Sequence, residues 1–443
     1  MTDELLVLLE ARPAGTLTED RTGRLTFTYE PDYANDPDST PLSLTAPLAQ
    51  GGVTGEPLLA FLWGLLPDNG DVLARWGAQY KVSASSVFGL LSHVGEECAG
   101  AVQFVRLDRV DHLRDGGVDW LDDAEVADRL RGLREDPTAW QSVRGGQFSL
   151  AGAQAKIALR RDGDRWGQPW GSEPTTVILK PATGRFTDQE IDEHVTLELA
   201  RAVGLTAARS SVVDIDGERA VCVERYDRVL VDGVWTRIHQ EDLCQASGTR
   251  PANKYQTDGG PGPAEITRLL RANVLPRDTG EAAVEAFVDA LAFSWLVAGT
   301  DAHAKNYSLL LAGDDVRLAP LYDLTSVLPF VTRQPGHDRS REWQPSELTL
   351  AMRVGAHRGV QEIDRSDWES LASEISLDGA ELMSRISGLA ERVLDAFDEI
   401  AARPEIARLE SALVGRYRAE LERHLGIAHA ALQGRGVPRR RRP

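Results

Sequence analysis

The chain has 443 residues, 42% of them hydrophobic and 26% charged, so it can bury a sizeable core and is not globally disordered. At roughly 150 residues per domain, its length suggests about three units. Acidic residues number 68 against 49 basic, a formal charge of -19, and a field of that sign repels DNA and anionic lipid unless a basic patch or a basic partner intervenes.

Residues 5–9 form an apolar run after an acidic start, which is not the pattern of a signal peptide. Gly15-Thr16-Leu17 and Arg24-Leu25-Thr26-Phe27-Thr28-Tyr29 alternate as half-buried strands do. Residues 31–47, rich in Asp, Pro and Ser, read as loop, and residues 58–66 as helix. Trp120-Leu121-Asp122-Asp123 opens an amphipathic helix that ends near Arg134, before Pro137. From Gly145 to about Arg228, short strands alternate with one helix. Asp162-Gly163 and Asp216-Gly217 are hairpin dipeptides. Thr187-Asp188-Gln189-Glu190 reads as a capping box, opening a helix that runs to about Val203 and stops at Gly204. Beyond about Trp235 the pattern turns mostly helical, with long apolar periodicities in 281–298 and 377–425. Residues 435–443, mostly Arg, Gly and Pro, read as a disordered basic tail, either a solvated end or a contact for phosphate-rich partners.

Cys98, Cys222 and Cys244 lie far apart without a CxxC pair, so a disulfide framework or zinc module is not expected. No run approaches the roughly 20 apolar residues that span a bilayer. The expectation is a cytoplasmic protein with no membrane partner. A β-rich lobe followed by a larger helical lobe directs the search for chemistry to the seam between them.

The richest segment is Gly299-Thr300-Asp301-Ala302-His303-Ala304-Lys305-Asn306. Phosphotransferases of the protein-kinase type use this D-x-x-x-x-N spacing, the Asp orienting and deprotonating a substrate hydroxyl and the Asn oxygen holding Mg²⁺. Asp323, in Pro320-Leu321-Tyr322-Asp323, follows a hairpin around Gly313-Asp314-Asp315 that can return its carboxylate to Asn306. One carboxylate, one amide oxygen and nucleotide phosphates make a hard-oxygen Mg²⁺ site. Taken singly, Asp323 reads first as a turn or helix-cap residue, and Asp301 has a helix N-cap as its alternative. Thr176-Val177-Ile178-Leu179-Lys180 is an apolar strand ending in a lysine, the setting of the lysine that pairs with α- and β-phosphates. Glu190 and Glu193 follow on the next helix, and Glu193, nearer its middle, is the candidate to hold Lys180. Upstream, Gly145 to Lys156 is a small-residue loop whose N–H groups could approach phosphate, although it is neither G-x-G-x-x-G nor a Walker A motif. Val221 to Arg228 runs from a strand toward the helical half and offers either a nucleotide-binding hinge or a strand end with surface charges.

The set resembles the HipA family, the serine/threonine kinase toxins of bacterial type II toxin–antitoxin modules. Ser149-Leu150-Ala151-Gly152-Ala153-Gln154-Ala155-Lys156 is similar to its S-x-x-G-x-Q-x-K loop, Ile178-Leu179-Lys180-Pro181 to its lysine strand, and Glu224-Arg225-Tyr226-Asp227-Arg228 to its E-R-[FY]-D-R hinge. His239-Gln240-Glu241-Asp242, Lys254-Tyr255 with Gly259-Gly260-Pro261, Thr300-Asp301-x-His303-x-Lys305-Asn306 and Pro320-x-Tyr322-Asp323 are also family-like. Gly64-Leu65-Leu66-Pro67-Asp68-Asn69 and Gly95-Glu96-Glu97-Cys98-Ala99-Gly100-Ala101 resemble the family's N-terminal subdomain. Departures are small: Tyr226 replaces a common Phe and Ala155 a bulkier residue.

The resemblance implies an α+β, bilobal protein-kinase-like fold. It would comprise an N-terminal subdomain (1–110), a β-rich kinase lobe (111–230), a helical lobe (231–434) and the tail (435–443). It implies ATP and Mg²⁺ as cofactors, Asp301 as base, Lys180 on the phosphates, and Asn306 and Asp323 on the metal. Gly152, Ala153, Gln154, Ala155, Lys156 and Ile157 would line the nucleotide, with Glu224, Arg225 and Tyr226 at the adenine. His303, Ala304, Lys305, Asn306 and Tyr322 would approach from the other lobe. Ser149 would be the autophosphorylation site that switches the kinase off, since a phosphoserine adds about -1.5 to -2 charges where ATP phosphates must sit. The implied partners are a helix-turn-helix antitoxin of HipB type, operator DNA mainly through that antitoxin, and a protein substrate, aminoacyl-tRNA synthetases being among the family's targets. Two other readings remain open: an antitoxin-bound corepressor with secondary or lost catalysis, and a small-molecule kinase.

Overall fold

The computed structural model describes residues 3–113, 115–140, 149, 151–183, 186–334 and 342–435. Gly145 to Phe148, Leu150 and the tail beyond Arg435 therefore lie outside the described residues. The protein is α+β. It divides into two compact units, each assembled from separate stretches of chain: 1–184, 211–254 and 307–319 in the first, and 185–210, 255–306 and 320–443 in the second.

The first unit is β-rich. Strands β1 (Asp3–Leu9), β2 (Arg12–Glu19), β3 (Leu25–Tyr29), β4 (Gly52–Thr54) and β5 (Val102–Arg106) form one sheet in the order β4-β3-β2-β1-β5. The alternation read from the sequence is the register seen: Leu17 opposes Phe27, and both are buried. The segment 31–47 is not all loop. Pro31, whose fixed φ suits a first helical turn, opens the four-residue helix Pro31–Ala34.

A second sheet holds β6 (Gly116–Leu121), β7 (Ile157–Asp162), β8 (Arg165–Gly171), β9 (Val177–Pro181), β10 (Ser210–Ile215) and β11 (Glu218–Glu224), ordered β10-β11-β9-β7-β8-β6. Asp216 and Gly217, with φ of 48° and 83°, link β10 to β11 as a two-residue turn that requires left-handed backbone at both positions. The helix Asp123–Glu135 starts on a capping box between Asp122 and Glu125. After β11 the chain does not enter helices at once. It makes the hairpin β12 (Arg228–Val231) and β13 (Val234–Arg237), then a three-stranded sheet of β14 (His239–Asp242), β15 (Ser308–Ala312) and β16 (Asp315–Leu318).

Alternate residues of β14 face residues 42–46. His239 Nε2 lies 2.9 Å from the Leu42 carbonyl, and Glu241 accepts from Ser43 Oγ at 2.6 Å and Leu44 N at 2.9 Å. Burial pushes the Glu241 carboxyl up to about 7. Its folded pKa lies above the unfolded one, so the unfolded chain sheds this proton first and stability falls as pH rises from about 4.5 to 7. Glu241→Gln should remove that slope. Between pH 5 and 8 the wild type should lose about 1–3 kcal/mol relative to the variant in urea unfolding. Parallel pH profiles would contradict the assignment.

The second unit is mostly helical. Helix Gly379–Ala401 buries Leu382, Ile386, Leu389, Val393, Phe397 and Ile400, the three-and-four spacing of one face. It packs against Gln189–Ala202, Arg277–Leu296, Arg365–Glu374 and Ala412–Leu432. The short pair β17 (Thr349–Val354) and β18 (His357–Gly359) completes this unit.

The capping box expected at Thr187 to Glu190 is absent. Asp188 is the N-cap in left-handed backbone (φ 61°), without a side-chain cap bond, and its Oδ2 accepts from Ser411 Oγ at 2.6 Å instead. The helix is capped at Asp188 rather than Thr187, and the partner of Asp188 lies 223 positions away. The helix ends as expected, with Gly204 at φ 97° and Leu205 N donating to Ala200 O at 2.9 Å.

Candidate functional site

The sequence-predicted residues fall in both units. Asp301, His303, Ala304, Lys305, Asn306, Tyr322, Asp323 and Glu193 belong to the helical unit. Ser149, the residues from Gly152 to Ile157, Lys180, Glu224, Arg225 and Tyr226 belong to the β-rich one.

In the helical unit, helix Arg277–Leu296 delivers the chain to Gly299 and Asp301. Asn306 Nδ2 donates to the Asp301 carbonyl at 2.8 Å. That bond ties the two ends of the D-x-x-x-x-N segment and leaves the amide oxygen as the acceptor Asn306 has to offer. Tyr322 Oη donates to the Lys305 carbonyl at 2.6 Å, so the residues preceding Asp323 and Asn306 are joined directly. Leu321 is held from its other side, where Ala208 N donates to Leu321 O at 2.8 Å and Leu321 N to Thr206 O at 2.9 Å. Asp323 has a φ of 55°, a conformation that Asp and Asn tolerate better than most residues. Just beyond it, Ser326 N donates to both oxygens of Asp192 at 3.2 and 3.1 Å, and Ser326 Oγ to Val297 O at 2.6 Å. Burial pushes the Asp192 carboxyl well up.

Asp301 is exposed, and its Oδ1 accepts from Tyr255 Oη at 2.6 Å. The Tyr255 ring stands edge-on to His303, centroids 5.0 Å apart. Lys254-Tyr255 is a family-like pair in the sequence, but nothing local assigns Tyr255 to Asp301, 46 positions on. Tyr255→Phe should lower kcat about tenfold with KM nearly unchanged, since one hydrogen bond to Asp301, the candidate base, is lost. An unchanged kcat would reduce Tyr255 to packing.

In the β-rich unit, Lys180 is buried on β9, in register with Val221 of β11. Gly152 has a φ of 106°, and a Cβ placed there would sit 2.8 Å from Lys156 Nζ. Lys156 Nζ donates to Ala151 O at 2.7 Å, so a cation lies inside the small-residue loop. Ala155 and Ile157 are buried, and Gln154 Nε2 is buried with no hydrogen-bond partner among the described residues. A buried donor without a partner, two residues from a lysine in the same loop, suits an anionic ligand. Glu224 is exposed at the end of β11, and Tyr226 Oη bonds Gln240 Oε1.

Arg225 and its neighbours are not surface charges. Arg225, Asp227, Arg228 and Arg237 are buried around Glu97. Glu97 Oε1 accepts from Arg225 at 3.1 Å and Arg228 at 2.9 Å, and Oε2 from Arg237 at 2.5 Å. Burial opposes the charge of Glu97, but the three guanidiniums, Arg237 foremost, outweigh it and hold the carboxyl well below the usual range. Arg225 lies in the expected adenine segment, yet its guanidinium is committed to this network.

Among the described residues, no group of three or more His, Cys, Asp or Glu could hold a metal. A cation on Asn306 and Asp323 would draw its remaining ligands from phosphate oxygens and water, as Mg²⁺ does in phosphotransferases. The donor set, one carboxylate and one amide oxygen on tethered segments, fits that role. Among the described residues, no helix is long and apolar enough to cross a membrane.

The fold is kinase-like and the motifs are those of one protein family. Residues 5–105 match the model of the HipA N-terminal domain and residues 148–399 that of the HipA-like C-terminal domain, and the chain belongs to the HipA family. It is 32% identical over 418 residues to a putative kinase of Sinorhizobium fredii, Y4mE, covering 93% of this chain and 95% of that one. It is 28% identical over 432 residues to the serine/threonine-protein kinase toxin HipA of Shewanella oneidensis, covering 91% of this chain and 94% of the relative. The solved complex of HipA, HipB and operator DNA from Shewanella oneidensis MR-1 includes a chain that matches at a TM-score of 0.80 and 25% identity, covering 97% of this chain and 98% of that one.

Proposed function

We propose that this protein is an ATP- and Mg²⁺-dependent serine/threonine protein kinase, the toxin of a toxin–antitoxin pair. Asp301 takes the proton of the acceptor hydroxyl. Asn306 and Asp323 would hold Mg²⁺, which would supply positive charge against the nucleotide phosphates. Lys180 and the segment from Gly152 to Ile157 bind the phosphates, with Glu193 pairing Lys180. Backbone groups of Glu224 and Tyr226 read the adenine, and His303 to Asn306 face the nucleotide from the helical lobe. The observation that carries this reading is the tethering of Asp301, Asn306 and the Tyr322-Asp323 segment to one another in one unit.

The four-part division at 110, 230 and 434 is kept as the functional anatomy, with action in the cytoplasm. The partner is a helix-turn-helix antitoxin of HipB type, which carries most of the operator contact for a chain of charge -19. The target is a cellular protein of translation, such as an aminoacyl-tRNA synthetase, and phosphorylation of Ser149 silences the kinase. The intact acid, amide and lysine set favours this over a corepressor without catalysis.

Asp323→Asn tests the metal role. Asn tolerates the left-handed backbone of this position but lacks the charge that binds Mg²⁺. Calorimetry should find ATP affinity in the variant independent of Mg²⁺, whereas the wild type gains at least about tenfold from the ion. Equal Mg²⁺ dependence would remove Asp323 from the metal.

A further inference from the structure

Glu97 lies in the N-terminal subdomain, outside every segment expected to touch nucleotide, yet it meets three that are. Its carbonyl accepts from Ser149 N at 2.7 Å. Its Oε1 accepts from Thr175 Oγ1 at 2.8 Å and Thr175 N at 3.2 Å, at the entrance to the Lys180 strand. The same carboxylate holds Arg225 and Arg228 on either side of Tyr226. The loop is gripped twice more by the subdomain. Ser149 Oγ donates to Leu65 O at 2.8 Å, and Asp68 N donates to Gly152 O at 3.1 Å, where Pro67 and Gly152 form a parallel bridge. Asp68 in turn pairs with Lys254 at 2.8 Å.

We propose that Glu97 is a positioning residue for the nucleotide loop, coupling Ser149, the lysine strand and the hinge through a single residue whose backbone and side chain are both engaged. The inference rests on the nucleotide reading above. Because Ser149 is fully buried and its hydroxyl is the donor to Leu65 O, a phosphate on that oxygen removes the proton of the bond and sets negative charge against the Leu65 carbonyl.

Glu97→Asp separates positioning from charge. The side chain keeps its charge but is one methylene shorter, so it stays with the arginines only by drawing its own carbonyl away from Ser149 N. Three quantities are measured: hydrogen exchange at the Ser149 amide without nucleotide, KM and kcat with Mg-ATP, and the melting temperature. The expected result is exchange at Ser149 and KM each raised about tenfold, the equivalent of one buried hydrogen bond, with kcat within about twofold of wild type. Thr175→Val, which deletes the hydroxyl that donates to Glu97 and accepts from Arg225 Nη1, should shift both in the same direction, and Thr175→Ser should restore them. Unchanged Ser149 exchange and KM in folded Glu97→Asp would overturn the proposal. So would a loss of kcat and melting temperature with no rise in KM. If the wild type binds no Mg-ATP, the kinase reading fails, while the exchange measurement still decides whether Glu97 holds the loop.

Discussion

Asp301→Asn should abolish measurable phosphoryl transfer while leaving the fold intact. The substitution is nearly isosteric, and the side chain is exposed. Tyr255 can still donate to the amide oxygen of Asn, so the hydrogen bond at this position survives. What is lost is the function proposed for the carboxylate, accepting the proton of the incoming hydroxyl. A positioned general base contributes on the order of 10²–10⁴ in rate, and a single-turnover assay with labelled ATP should register a fall of that size. Melting temperature and Mg-ATP affinity should stay near wild type, because Asp301 binds neither metal nor phosphate in this mechanism. A variant that transfers phosphate at the wild-type rate would remove Asp301 from its role, and the spacing to Asn306 would then have no chemical meaning.

The second large effect concerns stability. Glu97→Gln keeps the shape of the side chain but removes the charge that three buried guanidiniums share. Asp227 remains, bonding Arg225 at 2.7 Å and lying 3.0 Å from Arg228, and it cannot serve Arg237 as well. Removing one partner from a buried ionic cluster leaves uncompensated charge and costs about 3–5 kcal/mol. Urea unfolding of the purified variant should show a loss of that order at pH 7. The folded Glu97 carboxyl lies below its unfolded value, so its contribution is present above the unfolded pKa, about 4.5, and disappears as pH falls below it. The wild type and Glu97→Gln should therefore converge in stability under acid. A difference below about 1 kcal/mol at pH 7 would mean that water screens the cluster.

The parts of this molecule that were legible in the sequence are those governed by local rules. Alternation placed Leu17 and Phe27 on the buried face of one sheet, and Asp216-Gly217 demanded a tight hairpin. The D-x-x-x-x-N spacing, the lysine strand and the returning Asp323 segment could be picked out because each motif is short and ordered in sequence. Their tethering could not. Tyr255 reaches Asp301 across 46 positions, and Tyr322 reaches Lys305 across 17. Neither bond leaves a periodic trace.

The same limit explains the error at Thr187 to Glu190. The residue pattern of a cap was present, but Ser411 claims Asp188 from far along the chain. It also explains why a strand end with surface charges stays open as an alternative to a hinge for Arg225, Asp227 and Arg228 when the sequence is read alone. Only the fold brings Glu97 to them, from 128 to 131 positions upstream. Charged residues are read as solvated by default, and the default fails where several opposite charges are buried together.

The most direct test of the central claim is to express the wild-type chain and Asp301→Asn in parallel and compare phosphorylated proteins by mass spectrometry. The account predicts growth arrest, new phosphoserine or phosphothreonine on at least one cellular protein, and phosphate on Ser149, all confined to the wild type. Identical phosphorylation patterns in the two cultures, with the wild type stably expressed, would contradict it.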